Sequence, residues 1–351
     1  MIIYSTANVP GQGGPGGIAK HAIDAITESG MANYIMAANV PSNLPGGMGD
    51  HLHDAVSALV LPDEAIDIYH GFNNASYFTM LELINRDSEA WMIIERASTH
   101  PDHQMEVLKG EFERFGVKRQ ETDEIAHKKM LKEYRICDMI LVPSQVVWDT
   151  MAKRGLEDAL HMIEFGSDPE RFHPSKVKKK HPFTVLYIGP SWMRKGLYHL
   201  EQAWEKLRLH DGPILKVNMP PQLRLPGITY KRIRKMGWLR DEVLPSVYRS
   251  ADVFCLPSFE EGQVIAVWEA LASGLPCIIT EACGHPRVAE EKAGLIVEPG
   301  DVEGIKEAIR YYYENPSEVK AHGRNARKLA ESRTWEDYKK DLIKLWGDVG
   351  E

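Results

Sequence analysis

Two patterns alternate along the chain. Short, almost wholly apolar runs give way to stretches in which apolar residues recur every third or fourth position. In the first half, the runs at 1–6, 34–38, 58–61, 66–70, 91–95, 139–143 and 162–165 read as strands. The stretches 18–29, 77–85, 103–115, 121–135 and 145–154 between them read as helices. The second half repeats the scheme, with strands at 183–188, 214–219, 228–230, 251–256, 277–280 and 294–297. Its helices fall at 197–209, 241–250, 264–273, 301–314, 316–331 and, capped by Thr334, 335–346. Strand alternating with helix implies an α/β protein whose parallel sheets are covered on both faces.

The polar residues that interrupt this pattern gather just past strand ends, where open α/β sheets bind ligands. The stretch 257–276 is the richest of these. Its loop holds Glu260, Glu261 and Gly262, its helix starts near Val264, and Gly274 and Pro276 end that helix. The amides of Gly262, Gln263 and Val264 are expected to point out of the helix N-terminus, where they can bind an anion or hydroxyls. Glu261 sits at that mouth and Glu269 lies roughly two turns deeper. Such a pair suits a ligand with both phosphate and hydroxyls, a nucleotide sugar for example. The helix dipole also favours acids in a first turn, so a structural role stands beside this one. A second loop, 189–196, ends in Arg194-Lys195-Gly196 just before a helix. Two cations there oppose the helix dipole, and a bound diphosphate would supply the reason for them.

Near the N-terminus, Gly11, Gly13 and Gly16 fit G-x-G-x-x-G between a strand and a helix. Dinucleotide binding then requires an acid about 20 residues on, at the end of the second strand. That place reads Ala38-Asn39-Val40-Pro41, so NAD(P) becomes the minor alternative. Bare backbone at Gly16 and Gly17 also suits phosphate binding at a helix start, and a plain surface loop is the other alternative. His70 and His100 follow strands, where an imidazole can hold a sugar hydroxyl or take a proton.

Composition narrows the class. A chain of 351 residues suffices for two domains. A net charge of −8 argues against nucleic acid as a partner. Cys137, Cys255, Cys277 and Cys283 show no CxxC or Cys/His metal spacing and read as reduced core thiols of a cytoplasmic protein. No leader pattern and no apolar run near 18 residues is visible. Lys176, Lys178, Lys179 and Lys180 form a solvated linker or, with Lys118, Arg119, Lys128, Lys129 and Lys132, a surface for an anionic membrane.

Glu261-x7-Glu269, with Ala270, Gly274 and Pro276, resembles the C-terminal signature of the family-4 retaining glycosyltransferases of the GT-B fold. The resemblance implies two Rossmann-like domains facing each other across a cleft. It places an acceptor-side domain at 1–167, a linker at 168–182 (Gly166 to Pro174 resembles the family's hinge phrase) and a nucleotide-sugar domain at 183–333. It also sends the last helix, 335–351, back onto the first domain through Trp335, Tyr338, Leu342, Leu345 and Trp346. The implied catalytic residues are Glu261, Lys195 and His100. Glu261 contacts the donor sugar, Glu269 the ribose hydroxyls, and Lys195 with Arg194 the diphosphate. Gly16 and Gly17 face the donor phosphates, Gly262, Gln263 and Val264 complete the pocket, and Trp238 lies in the stretch beside the base. The chain departs from the family at Val264, where a second glycine is usual, and at Pro190, where an arginine is usual; the donor sugar therefore stays open.

The implied reaction moves a sugar from a UDP- or GDP-linked donor to a hydroxyl of a glycan, lipid-linked or other acceptor, with retention. It needs no cofactor and no metal, in keeping with the lack of an Asp-x-Asp motif, and runs in the cytoplasm, at the membrane's inner face for a lipid-linked acceptor. A sugar-nucleotide epimerase or hydrolase of the same fold, an NAD-dependent enzyme using the Gly11–Gly16 loop, and a non-catalytic sugar-binding protein are the alternatives.

Overall fold

The structure is a computed structural model. It describes residues 1–6, 15–37, 48–118, 121–175, 182–207 and 212–350. Gly11, Gly13, Arg119, Lys176 and Lys178 to Lys180 lie outside the described residues. The chain divides into two compact units, Met1–Glu164 with Glu336–Glu351, and Phe165–Trp335.

The first unit is a six-stranded parallel sheet. Its strands are β1 (Ile2–Thr6), β2 (Asn33–Ala37), β3 (Ile68–Phe72), β4 (Trp91–Glu95), β5 (Met139–Val142) and β6 (Leu160–Met162), in the order β2-β1-β3-β4-β5-β6. Strands buried on both faces need no alternation, which is why they read as continuous apolar runs. Ile3, Tyr69, Ile94 and Ile140 pack at the centre. The C-terminal helix, Trp335–Gly350, packs from Glu336 onward on this unit: Tyr338, Leu342, Leu345 and Trp346 are buried. Trp335 is the exception to the expected stripe. It belongs to the second unit and lies against Phe165, ring centroids 5.9 Å apart.

Three expectations are corrected here. Residues 58–61 form no strand; Ala58 ends up in the helix Met48–Leu59. That helix turns polar His53, Asp54 and Ser57 inward and leaves Leu52, Val56 and Leu59 exposed, so its apolar period misreports its buried face. His70 does not follow β3 but lies within it, fully buried. The helix expected from Ile18 begins at Pro15, which puts Gly16 and Gly17 in its first turn.

The second unit repeats the plan with β7 (Thr184–Tyr187), β8 (Ile214–Val217), β9 (Ile233–Lys235), β10 (Val253–Leu256), β11 (Cys277–Ile279) and β12 (Gly294–Ile296), all parallel in the order β12-β11-β10-β7-β8-β9. The strand expected at 228–230 is instead β9, because Tyr230 and Arg232 adopt φ of 61° and 63°, which no strand admits. Residues 165–175 are anchored in this unit and are not a loose linker. Gln263 Oε1 accepts the Phe165 N–H at 2.7 Å, and Arg327 donates to the carbonyls of Pro169 and Phe172, both at 2.9 Å.

Candidate donor site

Two loops meet at the carboxyl edge of the second sheet. The first follows β7. It winds through single turns, with Lys195 N–H to Ser191 O and Gly196 N–H to Met193 O, and ends at Gly196 with φ 67°. A Cβ at Gly196 would run into the carbonyl of Pro257, so only glycine lets the two loops approach this closely. The Phe259 N–H donates to Arg194 O at 2.8 Å and locks the second loop, after β10, onto the first.

This contact gathers four charges. Lys195 Nζ lies 2.5 Å from Glu261 Oε1. Arg194 Nη1 lies 3.0 Å from Glu261 Oε2 and 3.2 Å from Glu260 Oε2, and donates to Glu260 O at 2.7 Å. Ser258 Oγ donates to Glu261 Oε1 at 3.3 Å. Burial alone would push the Glu261 carboxyl up, but Lys195 and Arg194 outweigh it and hold its pKa below the usual range. The Lys195 chain runs across Gly189, whose N–H donates to Asn218 Oδ1 at 2.7 Å. A buried lysine and a partly buried arginine are thus fixed at a strand end, with carboxylates as their partners.

Glu269 stands apart from this cluster. It lies on the helix Ile265–Ala272, accepts from Tyr248 Oη at 2.7 Å, and burial raises its pKa to about 7. Near neutral pH this carboxyl therefore exchanges between its two charge states. The expectation for Val264 needs correction. Its amide does not face out of the helix but donates to Cys283 O at 3.1 Å. Its own carbonyl accepts from His285 Nε2 at 3.0 Å, while burial lowers the His285 pKa to about 4. Trp238 follows β9 with 66 % of its surface exposed. Ser258, Asn218 and Tyr248 carry parts of this geometry that the sequence did not assign. The rule of polar residues at strand ends picks out Asn218; Tyr248 meets Glu269 from 21 positions away and leaves no local trace.

In the first unit, His100 caps the helix Pro101–Phe115: the Asp102 N–H donates to its Nδ1 at 3.1 Å. Burial first, then Arg154, holds its pKa down at about 4. His100 is therefore a neutral Nε2–H donor at pH 7, not a base. The N-terminus of the helix Tyr77–Asn85 is closed to ligands. Glu133 accepts from the amides of Ser76 and Tyr77, and Asp54 from those of Phe78 and Thr79. Lys129 pairs with Asp54 at 2.7 Å and is buried, which removes it from the expected membrane-facing set; Lys118, Lys128 and Lys132 are exposed. His70 is buried against Tyr4 and Trp346 at 5.2 and 5.8 Å, with its pKa lowered by burial to about 3. No group of three or more His, Cys, Asp or Glu placed to hold a metal ion occurs among the described residues, and no described helix is long and apolar enough to cross a membrane.

Residues 182–315 match the family model of the glycosyl transferases group 1. The match covers most of the second unit. The resemblance to family-4 GT-B glycosyltransferases thus stands on more than a short signature. The chain is 26% identical over 201 residues, 54% of its length and 48% of the relative's, to MMP alpha-(1->4)-mannosyltransferase of Mycolicibacterium hassiacum. It is 29% identical over 176 residues, 43% of its length and 44% of the relative's, to the UDP-Gal:alpha-D-GlcNAc-diphosphoundecaprenol alpha-1,3-galactosyltransferase of Escherichia coli. These matches span about half the length of the curated relatives. Sucrose-phosphate synthase of Thermosynechococcus elongatus superposes with a TM-score of 0.76 at 18% identity, over 99% of this chain and 98% of that one. The fold is GT-B, with two Rossmann-like units.

Proposed function

We propose that this protein transfers a hexose from a nucleoside diphosphate sugar to a hydroxyl acceptor, with retention of the anomeric configuration. The observation that carries the reading is the pair of buried Lys195 and partly buried Arg194, set against buried Glu261 after the end of β7. Charge develops on the diphosphate as the anomeric C–O bond breaks. Fixed cations in a water-poor site stabilise that charge with little reorganisation. On this reading the acceptor oxygen bonds to the anomeric carbon on the face that the diphosphate leaves, and its proton passes to a leaving phosphate oxygen. Glu261 turns from its cations to the sugar hydroxyls, Glu269 holds the ribose diol, and the neutral Nε2–H of His100 donates to a sugar hydroxyl. Gly16 and Gly17 present first-turn amides at a helix with no acid in its first turn, which suits phosphate. Trp238 offers an exposed face beside which a base can stack. Charge stabilisation is assigned to side chains and no metal is invoked.

The donor is read as UDP- or GDP-linked and the acceptor as a glycan or lipid-linked alcohol. The names of the relatives above, one a mannosyltransferase and one acting with UDP-Gal on a diphosphoundecaprenol-linked sugar, support that range. Incubation with UDP-, GDP- and ADP-sugars and a panel of alcohols tests the reading. A new glycoside with retained configuration supports it. Free sugar as the only product, or an epimerised donor, replaces it with the hydrolase or epimerase alternative.

A further inference from the structure

A cavity of about 710 Å³ and one of about 810 Å³ are the larger openings described, and the second lies on the second unit. It is at the opposite edge of the sheet from the donor site. Its wall residues Phe183 and Asp252 immediately precede β7 and β10, and Gly274 lies three positions before β11, whereas Lys195 and Glu261 follow strand ends. Its floor is apolar, formed by Phe183, Tyr312, Val319 and the rings of Pro174 and Pro316. The helix Pro316–Glu331 closes one side. It lies close because a Cβ on Gly323 would press on the carbonyl of Gly274.

Four cations of that helix line the cavity, and they divide into two kinds. Arg327 is committed: it donates to the carbonyls of Pro169, Phe172 and Ala272 at 2.8–2.9 Å and pairs with Glu331 at 2.6 Å. Lys320, Arg324 and Lys328 are exposed and have no carboxylate partner among the described residues. They follow one another at intervals of four, so they stack in one row along the rim. Lys328 lies in the last turn, where the helix dipole favours it, and Asp252 lines the same cavity, but no ion pair among the described residues offsets the i,i+4 repulsion of this row. A dianionic group would.

We infer that this cavity is a binding site, separate from the donor site, for a small amphiphilic phosphate. Its apolar body rests on Phe183, Tyr312 and Val319 while Lys320, Arg324 and Lys328 hold the phosphate. The volume falls in the range of small-ligand pockets, and the split between apolar floor and cationic rim matches the two ends of such a molecule.

Octyl phosphate is the probe, titrated against the full chain by calorimetry below its micelle concentration. Inorganic phosphate and octyl glucoside serve as single-ended controls. Octyl phosphate is expected to bind saturably and at least about tenfold more tightly than either control. The triple variant Lys320→Ala/Arg324→Ala/Lys328→Ala and the filling variant Val319→Trp should each weaken it at least about tenfold, with thermal midpoint and nucleoside diphosphate affinity unchanged. Equal binding of inorganic phosphate reduces the site to a charged rim, and equal binding of octyl glucoside reduces it to an apolar groove; either overturns the inference. So does binding that both variants leave intact, or no binding at all.

Discussion

Replacing Lys195 with alanine removes one of two cations from the proposed leaving-group site and should cost a factor on the order of 10²–10³ in kcat, by analogy with an oxyanion-hole donor. Two separate routes give that size. A unit-charge pair about 4 Å apart in a medium of effective dielectric about 20 is worth about 4 kcal/mol, and 1.36 kcal/mol is about tenfold in rate. Arg194 cannot take over the whole role, since its Nη1 already serves Glu260 O, Glu260 Oε2 and Glu261 Oε2. The fold should survive, because Glu261 keeps Arg194 at 3.0 Å and is not left as a bare buried charge, a state that costs about 3–5 kcal/mol. Acid sensitivity gives a second readout. A carboxyl held low by Lys195 stabilises the folded state above its ordinary pKa of 4.5 and loses that contribution as pH falls through its lowered value. Without Lys195 the loss should begin at higher pH. The assay is donor-saturated turnover with Lys195→Ala and Lys195→Arg, beside calorimetric binding of the nucleoside diphosphate. Turnover within about threefold of the parent, with unchanged diphosphate affinity, would refute the leaving-group role.

Glu269→Gln should remove a pH dependence in the parent: donor KM is expected to fall as pH rises through about 7, where the ribose-binding carboxylate forms, and to be flat and higher in the variant. Gly196→Ala should destabilise the protein by roughly 2–5 kcal/mol, from left-handed backbone strain plus the clash with Pro257 O, read as a fall in denaturant midpoint. Glu95 is buried beside His70, accepts from Tyr338 Oη at 3.1 Å, and burial raises its pKa to about 8. Its neutral form belongs to the folded state, so stability is full below 4.5 and declines as pH rises through about 8, at up to about 1.4 kcal/mol per unit. Glu95→Gln should flatten that decline; an unchanged slope in urea unfolding between pH 6 and 9 removes Glu95 as its source.

The central strands were legible because a strand buried on both faces leaves a continuous apolar run, and Ile3, Ile94 and Val185 sit in such runs; the half-buried edge strand β9 leaves none and was misplaced at 228–230. The helix Met48–Leu59 was not, because its buried face is polar. Asp54 is drawn inward by the amides of Phe78 and Thr79 and by Lys129, all distant in sequence, so no local periodicity could announce it. The site divides the same way. Arg194, Lys195, Glu260 and Glu261 stand out as charges at strand ends, and the structure brings them together. That Glu261 faces both cations, rather than open solvent, depends on Gly196 and Pro257 meeting, a contact across 61 positions that no motif encodes. Val264 shows the opposite case: its place at a helix start is readable, but the partner of its amide, Cys283, lies on another loop.

The two units place their charges differently at comparable strand ends. After β3, the helix Tyr77–Asn85 has its first amides filled by Glu133 and Asp54, and Lys129 balances them; this end is chemically complete and repels a further anion. After β1, the helix Pro15–Ser29 has Gly16 and Gly17 and no acid in its first turn. After β7 and β10, two cations stand opposite two carboxylates, and both cations bear on Glu261. An incoming diphosphate can displace Glu261 from Lys195 without leaving that carboxylate idle, since the hydroxyls of an attached sugar are its natural replacement donors. A free phosphate offers no such exchange and would leave Glu261 with Arg194 as its one remaining cation. On the proposed reading, phosphate for Lys195 and hydroxyls for Glu261 together favour an intact nucleotide sugar over either half alone, and this pairing would tie binding energy to the bond that is to break.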